Sequence, residues 1–143
     1  MRIFSAKGLF FIHKILSAFY LQGQTEYAKQ CLNDLSESKE DGFRIADGNS
    51  DEPKMAIGAD LILNLHAFVR SVMKVGGDPR VFTRELLESA PEIVTIDEVG
   101  CGIVPIDAFE REYRDEAGVA GQLFASHADQ VFRMICGIPQ RIR

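Results

Sequence analysis

The chain has only three cysteines, Cys31, Cys101 and Cys136, and no two of them form a CxxC pair. That spacing argues against a zinc site, and an odd count at low density fits reduced thiols in a cytoplasmic protein. No stretch approaches the roughly 20 apolar residues of a membrane helix. The apolar run Gly8–Ile12 stops at His13 and Lys14, short of the about 7 to 15 residues of a signal-peptide core. Excess positive charge is also lacking. A net charge of −5 opposes non-specific binding to nucleic acid, whose phosphates would be repelled. There is no internal repeat and no low-complexity tract. No Ser-His-Asp or Cys-His set of the kind used in nucleophilic catalysis is visible.

What is present suits one α/β domain over residues 1–143. The chain is 46% hydrophobic and 26% charged, with mean hydropathy near zero, enough for one core. Residues 1–14 are set apart as an extension of undefined role, although a first strand is expected within Phe10–Phe19. A helix follows over Thr25–Leu35, and Phe43–Ala46 reads as a short strand. Asp47–Pro53 is a loop by composition. Apolar spacing predicts a helix over Ala59–Val75, closed by Gly76-Gly77. Asp78-Pro79 opens another, running to about Ser89, with Asp78 as N-cap. Pro91–Asp97 is a strand. Ile106–His127 is a long helix with Ile106, Phe109, Tyr113, Ala117, Ala120 and Phe124 as its apolar stripe. Gln130–Cys136 is the last strand, closed by Gly137. Strands alternating with helices imply a mainly parallel sheet covered on both faces.

The chemistry concentrates where the strand ending at Asp97 breaks into glycines. An apolar strand that ends in adjacent carboxylates delivers acid groups to the ligand edge of a parallel sheet. In nucleotide-binding α/β proteins such a carboxylate holds Mg²⁺. Asp97 and Glu98 point to opposite faces of a strand, so one of the two serves the ion, and the sequence does not choose. Gly100 and Gly102 let backbone approach a ligand closely. A tight loop serving only the fold is the plainer reading. Earlier in the chain, Ala18 to Thr25 has the outline of a phosphate loop, GxxxxGK[ST]. Gly23 and Thr25 match, but Ala18 replaces the first glycine and Gln24 the lysine.

Three further features carry two readings each. In Phe109–Asp115, pairs such as Glu110–Arg114 fit a solvated helix face, while Arg111 or Arg114 could reach a phosphate. His66 lies among apolar helix residues, as a packed histidine or as a nucleotidyl-accepting nucleophile. Arg133, Arg141 and Arg143 make the C-terminal tail locally basic. They either meet phosphate or end in solvent.

Glu98-Val-Gly-Cys-Gly-Ile-Val-Pro105 resembles the Glu-Val-Gly-x-Gly-Ile-Val-Pro segment of the adenosylcobinamide kinase / adenosylcobinamide-phosphate guanylyltransferase family. The likeness continues through Arg111, Tyr113, Arg114, Asp115 and Gly118, through Ala128-Asp-Gln-Val131, and into Cys136-Gly-Ile-Pro139. Gly23-Gln-Thr-Glu-Tyr-Ala28 is similar to the family's phosphate-loop exit. The resemblance implies a P-loop NTPase-like three-layer fold, GTP or ATP with Mg²⁺, and a corrinoid acceptor in cobalamin biosynthesis. It implies phosphates cradled by Gly23, Gln24, Thr25 and the Gly100–Gly102 loop, with Arg111 and Arg114 at phosphate or at a neighbouring subunit. It places the metal at Thr25 with Asp97 or Glu98. The family's guanylylated histidine lies in a His-x-x-x-Arg context, a spacing shared by His66 and Arg70. A homo-oligomer is expected, with no nucleic-acid or membrane partner. The chain is a short form of the family pattern. With glutamine for the phosphate-loop lysine, kinase activity is expected to be reduced or absent. The alternative is a catalytically impaired relative that binds nucleotide or corrinoid, or serves as a subunit of an assembly.

Overall fold

The structure, a computed structural model, describes residues 10–14, 42–100, 102–135 and 138–143. Strands β1 (Phe10–Lys14), β2 (Ile45–Asp47), β3 (Leu61–Leu63), β4 (Ile93–Asp97), β5 (Gln130–Ile135) and β6 (Ile138–Arg141) form one sheet. Its order is β2-β3-β4-β1-β5-β6. Every neighbouring pair is parallel except β5–β6. The helices are α1 (Pro53–Ala56), α2 (Leu65–Lys74), α3 (Pro79–Glu88) and α4 (Ala108–His127). This is the α/β, mainly parallel architecture of the P-loop kind that the sequence predicts. Among the described residues no helix is long and apolar enough to cross a membrane.

Alternation along the strands explains the layering. Ile62, Val94, Ile96 and Val131 share a core with Leu65, Phe68 and Val69 of α2, Phe82 and Leu86 of α3, and Ala117, Ala120 and Phe124 of α4. Leu61, Ile93, Thr95 and Phe132 fall on the opposite side of the pleat, yet they too are buried. The sheet is therefore covered on both faces, as parallel sheets are. Phe68 and Phe124 are fully buried, each worth about 2–3 kcal/mol of apolar transfer.

α3 forms where its caps dictate. The Asp78 carboxylate accepts from the N–H groups of Arg80 and Val81 at 2.8 and 3.3 Å, and Pro79 takes the first helical position. Such a cap contributes about 1 kcal/mol. At the end of α2 the N–H groups of Gly76 and Gly77 bond back to the carbonyls of Met73 and Val72, closing the helix as expected.

Several boundaries differ from the sequence reading. The helix expected over Ala59–Val75 is a strand, β3, followed by α2. Asn64 sits between them at φ 56°, a left-handed conformation in which asparagine is tolerated. That single turn separates the two periods. The loop expected over Asp47–Pro53 ends in α1, with Pro53 at its first position. Ile106 is 98% exposed, because Asp107 caps α4 through Glu110 N–H and the stripe starts beyond it. The strand at Gln130–Ile135, β5, is not the last, because β6 runs antiparallel to it over Ile138–Arg141. Pro139 is compatible with β6 because β6 is an edge strand. The strand expected within Phe10–Phe19 occupies Phe10–Lys14, in the middle of the sheet, so this part of 1–14 is integral to the fold. The helix expected over Thr25–Leu35 and the phosphate-loop residues Gly23, Gln24 and Thr25 lie outside the described residues.

Candidate functional site

The topology selects one crevice. β1 lies between β4 and β5. The chain leaving β1 goes to the far side of the sheet, to β2, while the chain leaving β4 crosses to β5. Exits in opposite directions from neighbouring strands open a crevice at their carboxyl ends, where open α/β sheets bind ligands. Lys14 and Asp97 are paired in register at that point.

The two acids go to opposite sides of β4. Asp97 lies toward β3 and α2. Its N–H donates to Nδ1 of His66 at 3.1 Å, and its Oδ2 is 4.0 Å from His66 Nε2. Glu98 lies toward β5, its Oε2 3.6 Å from an Nη of Arg133. That separation is longer than a hydrogen bond. The Glu98 oxygen is a buried atom with no hydrogen-bond partner.

His66 is held neutral. Its side chain is 14% exposed, and burial lowers its pKa from the ordinary 6.5, against the opposing pull of Asp97 and Asp47. A backbone N–H can only donate, so Nδ1 must be the acceptor and Nε2 carries the proton. The lone pair of the neutral ring is thus engaged. Nucleotidyl transfer onto His66 would first require the bond to Asp97 N–H to break.

Sequence reasoning missed the network beside His66. Asn64 donates its N–H to Thr95 Oγ1 at 3.0 Å and its side-chain amide to Asp47 Oδ1 at 2.8 Å. The same Asp47 oxygen accepts from Asn49 N–H, and Asp51 accepts from Asp47 N–H at 2.7 Å. Gly48 follows, packed so closely that a Cβ there would lie 2.4 Å from the Asn64 carbonyl oxygen. The one local signal was a turn-forming asparagine directly after an apolar triplet.

The glycine loop is held by the helix that follows it. Gly100 and Gly102 adopt φ +143° and +145°, which L side chains rarely reach. Arg114 donates to the carbonyls of Gly100 and Ile103, and Arg111 to those of Pro105 and Ile106. The expected Glu110–Arg114 pair is replaced. Glu110 pairs with Arg70 of α2, and the Arg70 guanidinium lies 5.2 Å from the centre of the Tyr113 ring. Burial, the largest influence, raises the Tyr113 hydroxyl to about 12. Ile103, Val104 and Ile106 remain exposed.

Among the described residues no cluster of three or more His, Cys, Asp and Glu side chains is arranged for a metal. Mg²⁺ needs less than that. It is held by one or two carboxylates and completed by water and substrate phosphate. A buried carboxylate oxygen without a hydrogen bond at the switch crevice, that of Glu98, fits such an ion.

Comparison with known proteins finds similarity in the C-terminal part. Residues 78–142 match the family described as cobinamide kinase / cobinamide phosphate guanyltransferase. They include α3, β4, the glycine loop, α4, β5 and β6. The bifunctional adenosylcobalamin biosynthesis protein CobU of Salmonella typhimurium is 39% identical over 54 residues. That stretch is 38% of this chain and 30% of the Salmonella protein. Asp47, Asn64 and His66 lie outside the residues matched by the family.

Proposed function

We propose, for a chain whose residues 78–142 match the cobinamide kinase / cobinamide phosphate guanyltransferase family, that the β4–β1 crevice binds GTP or ATP. The protein then acts in adenosylcobalamin biosynthesis, in phosphoryl or nucleotidyl transfer to a corrinoid. The observation that carries this reading is Glu98 at the head of the glycine loop, its buried Oε2 without a hydrogen bond at the switch point.

In this reading Glu98, with Thr25, holds Mg²⁺ while Asp97 stays turned toward His66, and Gly23, Gln24 and Thr25 cradle phosphates. The ion, when bound, neutralises charge on the transferring phosphoryl group. Gly100 and Gly102 bring loop backbone close to the ligand, and Arg111 and Arg114 keep that loop in shape while standing near phosphate. Positioning and charge neutralisation do most of the work in such transfers. Action in the cytoplasm and a homo-oligomeric state go with the proposal, the latter measurable by light scattering.

A second reading is favoured by Gln24 and by the engaged Nδ1 of His66. In it the chain is a catalytically impaired relative that binds nucleotide or corrinoid, or acts as an assembly subunit. Calorimetric titration of GTP and ATP, with and without Mg²⁺, tests nucleotide binding. Incubation with adenosylcobinamide and labelled nucleotide then separates the two readings. Mg²⁺-dependent binding with label transfer supports the enzyme. Binding without transfer supports the impaired relative, and absence of binding at millimolar nucleotide refutes the nucleotide site.

A further inference from the structure

We propose that Arg133 supplies the positive charge toward nucleotide phosphate that the sequence lacks at Gln24, and that the Glu98–Arg133 pair opens around a magnesium–phosphate group. This rests on the nucleotide-binding reading above and deepens it.

The first ground is position. Arg133 stands on β5 opposite His13 of β1, one register step before β1 ends at Lys14. Glu98 follows β4, the strand on the other side of β1. Neighbouring strands are about 4.8 Å apart, so the contact between Glu98 and Arg133 spans the end of β1. The pair therefore lies beside the last residues of β1, His13 and Lys14.

The second ground is unmet bonding. The closest approach of the two groups, 3.6 Å, leaves Glu98 Oε2 and Arg133 Nε both buried and without a hydrogen-bond partner. An unpartnered buried acceptor and an unpartnered buried donor side by side are each unfavourable. Their neighbours Val131 and Phe132 are buried apolar residues, and packing alone gives no use for a guanidinium there. The Arg133 side chain is nevertheless 37% exposed, so a ligand can reach it.

The third ground is complementarity. A ligand that satisfies both groups must present a cation to Glu98 and an anion to Arg133 within a few ångströms. A magnesium-bound polyphosphate does this. Guanidinium forks bind phosphate oxygens in bidentate geometry, and Gln24 offers a hydrogen bond without charge. Arg133 is thus assigned as a phosphate-binding residue.

The test is calorimetric titration of GTP, ATP and the matching monophosphate, with Mg²⁺, into the full chain and into Arg133→Gln. Loss of a charge-assisted bond is expected to weaken triphosphate binding by roughly 10- to 100-fold, with monophosphate affinity within about twofold. Arg133→Lys keeps the charge without the fork and serves if Arg133→Gln does not fold. It is expected to lose roughly threefold to tenfold for triphosphate alone. Equal triphosphate affinity in the variant overturns the role of Arg133 and leaves the nucleotide reading standing. Equal losses for triphosphate and monophosphate make Arg133 a structural residue and also overturn it. No triphosphate binding by the unsubstituted chain overturns both.

Discussion

Alanine in place of glycine should act with opposite sign at Gly48 and Gly118. At Gly48 the added Cβ would lie 2.4 Å from the Asn64 carbonyl oxygen, 2.9 Å from Phe68 N and 3.0 Å from the Ala67 Cβ. Ordinary contact starts near 3.5 Å, and two of the three obstacles are backbone, so no rotamer change relieves the clash. The turn after β2 must move away from the start of α2, taking the Asp47–Asn64 bond with it. Overpacking of this kind costs typically 1–3 kcal/mol, and backbone obstacles put Gly48→Ala at about 3 kcal/mol. Gly118 lies exposed within α4, with nothing within 4 Å of a built Cβ. There alanine removes a helix-interior glycine and gains about 0.8 kcal/mol. Urea unfolding followed by circular dichroism reads both. For a slope of about 1.5 kcal/mol per molar, the midpoint falls by about 2 M in Gly48→Ala and rises by about 0.5 M in Gly118→Ala. In thermal melts the shifts are roughly 10 °C down and 3 °C up. An unchanged midpoint in Gly48→Ala would refute the close approach of β2 to α2.

The remaining predictions concern charge. Burial depresses the folded pKa of His66 below 6.5, so the unfolded chain takes up the proton first. Stability is full above pH 6.5 and falls as pH drops from there through the folded pKa, by up to about 1.4 kcal/mol per unit. His66→Gln should flatten the urea midpoint against pH in that window, and an unchanged slope counts against the assignment. Glu110→Ala removes the partner of Arg70, a pair about 40% exposed at its arginine. Screening limits the expected destabilisation to on the order of 1 kcal/mol, and a neutral result in unfolding experiments would make the α2–α4 bridge idle. Gln24→Lys should tighten nucleoside-triphosphate binding in calorimetry, because lysine adds a point charge at the phosphates. Unchanged or weaker binding would argue against a phosphate loop at Gly23–Thr25.

What could be read from the sequence followed from how local each signal was. α3 was legible because Asp78 and Pro79 carry cap and first turn in adjacent residues. The acids after β4 were legible because a strand, two carboxylates and a glycine loop lie in one stretch. β3 was not, since Leu61-Ile-Leu63 is a three-residue strand buried on both faces and its Ile62 continues the helical spacing of α2. Only the left-handed Asn64 separates them. β6 was not, because Gly137 reads as the close of the last strand, and Pro139 beyond it suits a strand only at a sheet edge. The partners of the charged groups were hidden for a different reason. Arg70 meets Glu110, and Glu98 meets Arg133, across distances in sequence that no spacing rule spans. A helix-local pair such as Glu110–Arg114 competes for attention and loses to tertiary geometry.

The place of β1 has a consequence for how the chain reaches this structure. Phe10 pairs with Ile93 on one side and with Gln130 on the other. During synthesis β1 is made before either neighbour, and it must wait for most of the chain before its backbone groups find partners. Pairings so distant in sequence slow folding and leave strand edges open in the meantime. β2, β3 and β4 can associate while β1 is still unpaired. Only when β1 lies between β4 and β5 are the two halves of the sheet joined and Glu98 brought to Arg133. The crevice is therefore a late product of folding, and a nascent chain short of β5 has no such site to offer a ligand.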